Sequence, residues 1–200
     1  MVGSDLIDPA EGKQKARLAV EKALQLDDTL PDAHLALARI ENDNLDWAGA
    51  GRSFQRALEL NPNSVTGHNR YAFFLSCLGR HEEAIAQIAR AEELDPLSSG
   101  LKSTEGSILY LARRYDDAIA KLQQSIARDS NDTFAHAYLG LAYTGANQFD
   151  NAITEFQLVA KIQGETSSTS IYLGRAYALA GRRDEALAII QKLEQTKQYV

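Results

Sequence analysis

The 200-residue chain is 44% hydrophobic and 24% charged, the balance of an ordinary folded domain, and its 21 basic and 27 acidic residues leave a net charge of −6. The acid excess lies in residues 1–100, with 16 acids to 10 bases, and no basic run exceeds Arg113-Arg114 or Arg182-Arg183, which argues against a nucleic-acid partner. The lone Cys77 excludes an internal disulfide and a cysteine-based zinc site, and no apolar run is long enough to span a bilayer, so no membrane partner is expected.

Residues 1–9 are polar, contain Gly3 and Pro9, and read as a flexible lead-in. The N-terminus lacks the basic-then-apolar pattern of a signal peptide. The expected compartment is the cytoplasm, or the periplasm if the chain is a fragment of an exported or membrane-anchored parent. Residues 10–30 begin with good helix formers whose Ala16, Val20, Ala23 and Leu24 share one stripe; they read as the second helix of a partial repeat. From Pro31 a 34-residue pattern of two helices and a short polar turn recurs without insertion, as 31–64, 65–98, 99–132, 133–166 and 167–200.

The register makes columns. The twentieth place of each repeat is Ala50, Ala84, Ala118, Ala152 and Ala186, a coincidence on the order of 10⁻⁴ by chance. The eighth place is also small: Ala38, Ala72, Gly106, Gly140 and Gly174. Small residues in facing columns let two helix axes approach closely. Leu37, Tyr71, Leu139 and Leu173 on first helices, and Phe54, Ile88, Leu122, Phe156 and Ile190 on second helices, are expected to fill the space beside them. Ser64, Ser98, Asp132 and Ser167 are placed to cap first helices, and Asp116, Asp150 and Asp184 to cap second ones. Pro62 and Pro96 stop their helices; Ser130 and Gly164 are softer stops. Glu41 and Glu105 fall at apolar places, and Val159 and Leu193 at small ones, which predicts looser packing or a slight rotation there.

With Leu139-Gly140…Tyr143, Leu173-Gly174…Tyr177, the alanine column, Ala57, Ala91 and the closing prolines, the pattern resembles the tetratricopeptide repeat (TPR), as in the repeat region of a larger bacterial protein. The resemblance covers 31–200 and the partial repeat before it. It implies an all-α, right-handed α-solenoid of antiparallel helix pairs, a TPR-like superhelix whose first helices line a concave groove.

Chemistry-bearing residues do not converge. His34, His68 and His136 share the fourth place with Lys102, but each belongs to a different repeat, whereas a metal needs all its ligands within about 2.0–2.1 Å. Rings half-buried between helices are expected instead, with His81 alone in a turn. Adjacent carboxylates such as Glu82-Glu83, Glu92-Glu93 and Asp116-Asp117 point apart on a helix. No catalytic, metal or cofactor site is assigned, and the chain is not expected to be an enzyme.

The resemblance directs attention to the groove. Its stripe on the first helices gives the candidate partner-binding residues Arg39, Asn69, Arg70, Phe73, Thr104, Ser107, Tyr110, Tyr138, Leu141, Tyr172 and Arg175. Tyrosine, phenylalanine and arginine are common interface anchors, although Tyr138 and Tyr172 could equally pack between first helices. Neither the Lys-Asn-Asn-Lys-Arg set of chaperone-binding relatives nor an asparagine ladder is present. The leading expectation is a scaffold binding a peptide or helix of a protein partner. The alternatives are a sensor or assembly arm of a multidomain regulator or enzyme, and a small-ligand module. A half-repeat at the start and no polar capping helix at the end predict a piece of a longer protein, or self-association through uncapped ends.

Overall fold

The computed structural model describes residues 9–197, so most of the lead-in at 1–9 lies outside the described residues. Eleven helices follow in order: α1 (Pro9–Leu26), α2 (Pro31–Asp43), α3 (Trp47–Leu60), α4 (Val65–Cys77), α5 (His81–Leu94), α6 (Ser99–Leu111), α7 (Tyr115–Arg128), α8 (Thr133–Gly145), α9 (Phe149–Gln163), α10 (Ser167–Leu179) and α11 (Arg183–Lys197). The described residues contain no strand, and the fold is all-α, of the helix-pair solenoid class. The chain divides into two compact units, 1–71 and 72–200, with the boundary inside α4.

The turn inside each helix pair is built identically. The fifteenth place is left-handed in every repeat: Leu45 (φ 63), Gly79 (φ 76), Arg113 (φ 62), Asn147 (φ 60) and Gly181 (φ 75). The next amide then bonds back to the carbonyl of the eleventh place: Asp46 to Glu41, Arg80 to Leu75, Arg114 to Leu109, Gln148 to Tyr143 and Arg182 to Tyr177, at 2.8–2.9 Å. These bonds satisfy carbonyls that a helix end otherwise leaves unpaired. Glycine enters this conformation freely, whereas Leu45 and Arg113 pay a steric penalty of about 1 kcal/mol.

The turns between pairs use side chains. Asp27, Asn61 and Asp129 accept from the amide two residues on, at Thr29 (2.9 Å), Asn63 (3.1 Å) and Asn131 (3.0 Å). The fourth-place histidine of the following repeat then reaches back to the same turn. Nε2 of His34, His68 and His136 donates to the carbonyls of Asp28 (2.9 Å), Pro62 (3.0 Å) and Ser130 (3.2 Å). The histidine column is therefore a set of turn clamps. His81 opens α5 with Nδ1 3.2 Å from the Ser76 hydroxyl, so it is not alone.

Capping corrects part of the sequence expectation. Ser64 and Asp132 accept from Gly67 and Ala135 amides as expected, both at 3.0 Å. The Ser98 side chain makes no capping bond, and Ser167 lies within α10, which Thr166 caps through the Thr169 amide at 3.2 Å. Asp116, Asp150 and Asp184 sit in first turns rather than at caps, where the helix dipole favours an acid. Among second helices α3 has a side-chain cap, from Asp46 to the Gly49 amide at 2.9 Å. Before α5, α7 and α11 stand Arg80, Arg114 and Arg182, each bound to the acid three residues on, Glu83, Asp117 and Glu185; the cap position of α9 holds Gln148, which accepts from the Asn151 side chain at 3.0 Å.

In the N-terminal unit Leu35, Ala38, Ala50, Phe54, Ala57 and Tyr71 are buried, and Phe54 stacks on Tyr71 with ring centres 5.4 Å apart. Glu41 is held there by the Ser53 hydroxyl, which donates to its carboxylate at 2.6 Å. The C-terminal unit has a continuous core through Leu109, Leu122, Leu139, Ile153, Phe156 and Tyr177, with alanines between. Burying a side chain such as Leu122 or Phe156 contributes roughly 2–3 kcal/mol. Val159 fits at 2% exposure, while Leu37 is only half-buried and Ile190 is 50% exposed, so these two do not fill the core as expected.

Glu105 does not loosen its repeat. Its carboxylate meets Lys121 at 2.7 Å and Lys102 at 3.3 Å, and Lys102 also meets Glu92 at 2.8 Å. Burial pushes the Glu105 carboxyl up, but the two ammonium groups outweigh it and hold it below the ordinary range. Burial lowers Lys102 in turn, and its two carboxylates more than reverse that.

Candidate functional site: the aromatic face of the first helices

In the C-terminal unit the first helices carry a connected band of rings. Phe73 (α4) meets Phe134 (α8) at 6.3 Å, Phe134 meets Tyr138 at 4.6 Å, Tyr138 meets Tyr110 (α6) at 5.8 Å, and Tyr110 meets Tyr115 (α7) at 6.1 Å. Between α4 and α8 in the chain, α6 carries short polar side chains. Ser103, Thr104 and Ser107 are buried and short, their hydroxyls donating to the Gly100 carbonyl (3.0 Å for both Ser103 and Thr104) and the Thr104 carbonyl (2.8 Å for Ser107). Thr104 and Ser107, expected to face a partner, are thus buried, their hydroxyls already bonded to backbone carbonyls.

The remaining candidates of this unit are accessible to different degrees. Phe73, Tyr110, Tyr138 and Leu141 are half-buried, Tyr172 is 37% exposed, and Arg175 is exposed. Phe134, on the same first-helix stripe in sequence though not among the candidates above, is 40% exposed and joins Phe73 to Tyr138. Tyr172 also stacks on Phe156 at 5.6 Å, so its ring packs within the unit while one edge faces solvent. The hydroxyls of Tyr110, Tyr138 and Tyr172 make no hydrogen bond among the described residues and are not sealed from solvent.

The electrostatics follow burial. Desolvation pushes the Tyr138 phenol up to about 12, with smaller contributions in the same direction from Cys77, Tyr110 and Tyr172. Burial also raises Tyr110, opposed by the positive charge of Arg175. Cys77 is a free thiol that burial pushes up, the opposite of an activated nucleophile.

In the N-terminal unit Arg39 is exposed and lines a cleft of about 200 Å³ between α1 and α2, with Lys13, Arg17 and Asp43. Asn69 is half-buried with an Oδ1 atom that finds no hydrogen-bond donor, and Arg70 is exposed. No group of three or more His, Cys, Asp or Glu side chains among the described residues could hold a metal. None of the described helices is long and apolar enough to cross a membrane.

One set of contacts escaped the sequence reading. Gln123 donates to the Tyr143 hydroxyl at 3.0 Å and Gln157 to that of Tyr177 at 2.9 Å, each joining a second helix to the next repeat. A signal for it existed. Tyrosine stands at the eleventh place only in the last two repeats, and both follow a repeat with glutamine at its twenty-fifth place.

Family profiles described as tetratricopeptide repeat match residues 53–86, and residues 75–133 and 103–168. Among solved structures the chain is similar to PilW, described as a widely conserved type IV pilus biogenesis factor, at 22% identity over 96% of this chain and 89% of that one, with a TM-score of 0.84. It is similar to pilF of Pseudomonas aeruginosa at 21% identity over 92% and 84% of the two chains, with a TM-score of 0.72. It is also similar to YrrB, described as a TPR protein with an unusual peptide-binding site, at 20% identity over 87% and 90%, with a TM-score of 0.57. At these identities the likeness is one of fold. No curated protein matches the chain by sequence.

Proposed function

The chain belongs to the tetratricopeptide repeat family, and from that premise we propose that it is a protein-interaction scaffold that binds, without chemistry, an extended or helical segment of a partner. The seat is the first-helix face of the C-terminal unit. The observation that carries this reading is the band from Phe73 through Phe134 and Tyr138 to Tyr110, a run of accessible aromatic surface edged by unpaired phenol hydroxyls. Amphipathic rings of this kind anchor interfaces at low entropic cost. The peptide-binding site of YrrB, a neighbour in fold, is in keeping with it.

The test is selection of binders to the full chain from a random 12-residue peptide display library, followed by affinity measurement on Phe134→Ala and Tyr138→Phe variants. Loss of about tenfold or more with Phe134→Ala is expected for a ring acting as an anchor. Binders indifferent to Phe134 refute the seat.

A second reading, association between copies, rests on α11. Leu187 and Ile190 are 43% and 50% exposed, although the corresponding places of the preceding repeat, Ile153 and Phe156, are buried at 3% and 1%. Sedimentation of the chain and of its Leu187→Asp variant tests it: a monomer at all concentrations refutes association.

A further inference from the structure

The first helices of the C-terminal unit are nearly devoid of charge. α8 and α10 contain no acid, and the one acid of α6, Glu105, is occupied by Lys121 and Lys102. Arg175 on α10 is exposed and has no ion pair among the described residues. It lies one helical turn from Tyr172, on the same face, and its charge reaches the Tyr110 phenol. An unpaired guanidinium, one turn from Tyr172, thus shares this nearly uncharged first-helix side of the unit with the rings of Phe73, Phe134, Tyr138 and Tyr110.

We propose that this face is a receptor for a single Asp or Glu side chain carried in an otherwise apolar extended segment, with Arg175 pairing the carboxylate and Phe134 taking an apolar side chain. The proposal rests on the scaffold reading above and names its ligand. One guanidinium suits one carboxylate; a phosphate dianion is usually met by clustered arginines.

The probes are the peptides selected on the full chain, resynthesised with amidated C-termini so that any carboxylate is a side chain. Each is compared with its Asp→Asn or Glu→Gln analogue on wild-type protein and on the Arg175→Gln and Phe134→Ala variants. The expected result is enrichment of one acid together with an aromatic or aliphatic residue. Its amidation is expected to weaken wild-type binding about tenfold, the scale of one charge-assisted pair, and leave Arg175→Gln binding unchanged. Binders without an acid, or an acid effect that persists in Arg175→Gln, overturn this inference; if those binders still depend on Phe134, the scaffold reading stands without it. Absence of binders, or binders indifferent to both variants, overturns both.

Discussion

The glycines at the eighth place make opposite predictions from the same position in the repeat. A Cβ on Gly140 meets three atoms of the Phe156 ring at 2.6, 2.8 and 2.9 Å, and Phe156 is only 1% exposed, so the ring has nowhere to go. Ordinary carbon contacts lie near 3.5–4.0 Å, so the overlap approaches an ångström, and overpacking of that kind costs about 1–3 kcal/mol. The gain in helix propensity, about 1 kcal/mol, offsets part of it. With the ring held on all sides the cost falls in the upper part of that range, about 2–3 kcal/mol, so Gly140→Ala is expected to lose about 1–2 kcal/mol net. Gly106→Ala should lose at least as much, because its Cβ meets Leu122 at 2.5 Å and the Ala118 carbonyl at 3.3 Å, and backbone yields less than a side chain. At Gly174 the nearest atom is Ile189 Cγ2 at 3.1 Å, so the propensity gain wins and Gly174→Ala is neutral or stabilising by up to about 1 kcal/mol. Urea denaturation followed by circular dichroism measures all three, with the slope checked because repeat arrays can lose cooperativity. Phe156→Leu added to Gly140→Ala should recover about 1 kcal/mol relative to the sum of the single changes. A Gly140→Ala protein as stable as wild type, or a Gly174→Ala loss equal to it, refutes the reasoning.

Other predictions follow from the turns and the charges. Leu45→Gly removes a left-handed leucine that is 72% exposed and should raise stability by about 0.5–1 kcal/mol, read as a shifted urea midpoint. Glu105→Gln leaves Lys102 and Lys121 facing each other without their shared carboxylate and should cost about 2 kcal/mol, between the exposed and buried cases. Because the folded Glu105 carboxyl is held below its ordinary 4.5, its stabilisation is present above that value and lost as pH falls through the folded value; acid melts of Glu105→Gln should lack that part of the decline. The Tyr138 phenol is raised to about 12, so its contribution is intact below its ordinary value of 10.0 and falls as pH rises toward 12. Tyr138→Phe should flatten that alkaline decline, and an unchanged slope would show that the phenol is not desolvated.

The period, the helix pairs and the alanine column were legible because packing repeats in sequence whatever repeats in space. Partner choice in the caps was not: Ser98 and Ser167 have the right chemistry one place or one rotamer away from a bond, a difference sequence cannot express. Glu105 looked like a packing fault because its neutralising partners, Lys121 and Glu92-bound Lys102, lie on other helices or one turn away. Thr104 and Ser107 fell on the predicted stripe, yet stripe position says nothing of depth, and both are buried with their hydroxyls bonded to backbone carbonyls.

The clamp between helix pairs has a consequence for anyone recombining such proteins. Its Asx residue lies at the end of one 34-residue repeat and its histidine at the start of the next, as in Asn61 with His68 or Asp129 with His136. Cutting at the repeat boundary separates lock from key, and a grafted module arrives with a turn nothing holds. The left-handed turn at the fifteenth place, by contrast, is closed by backbone alone. A transplantable cassette in this protein should run from one such turn to the next, out of phase with the repeat that the sequence displays.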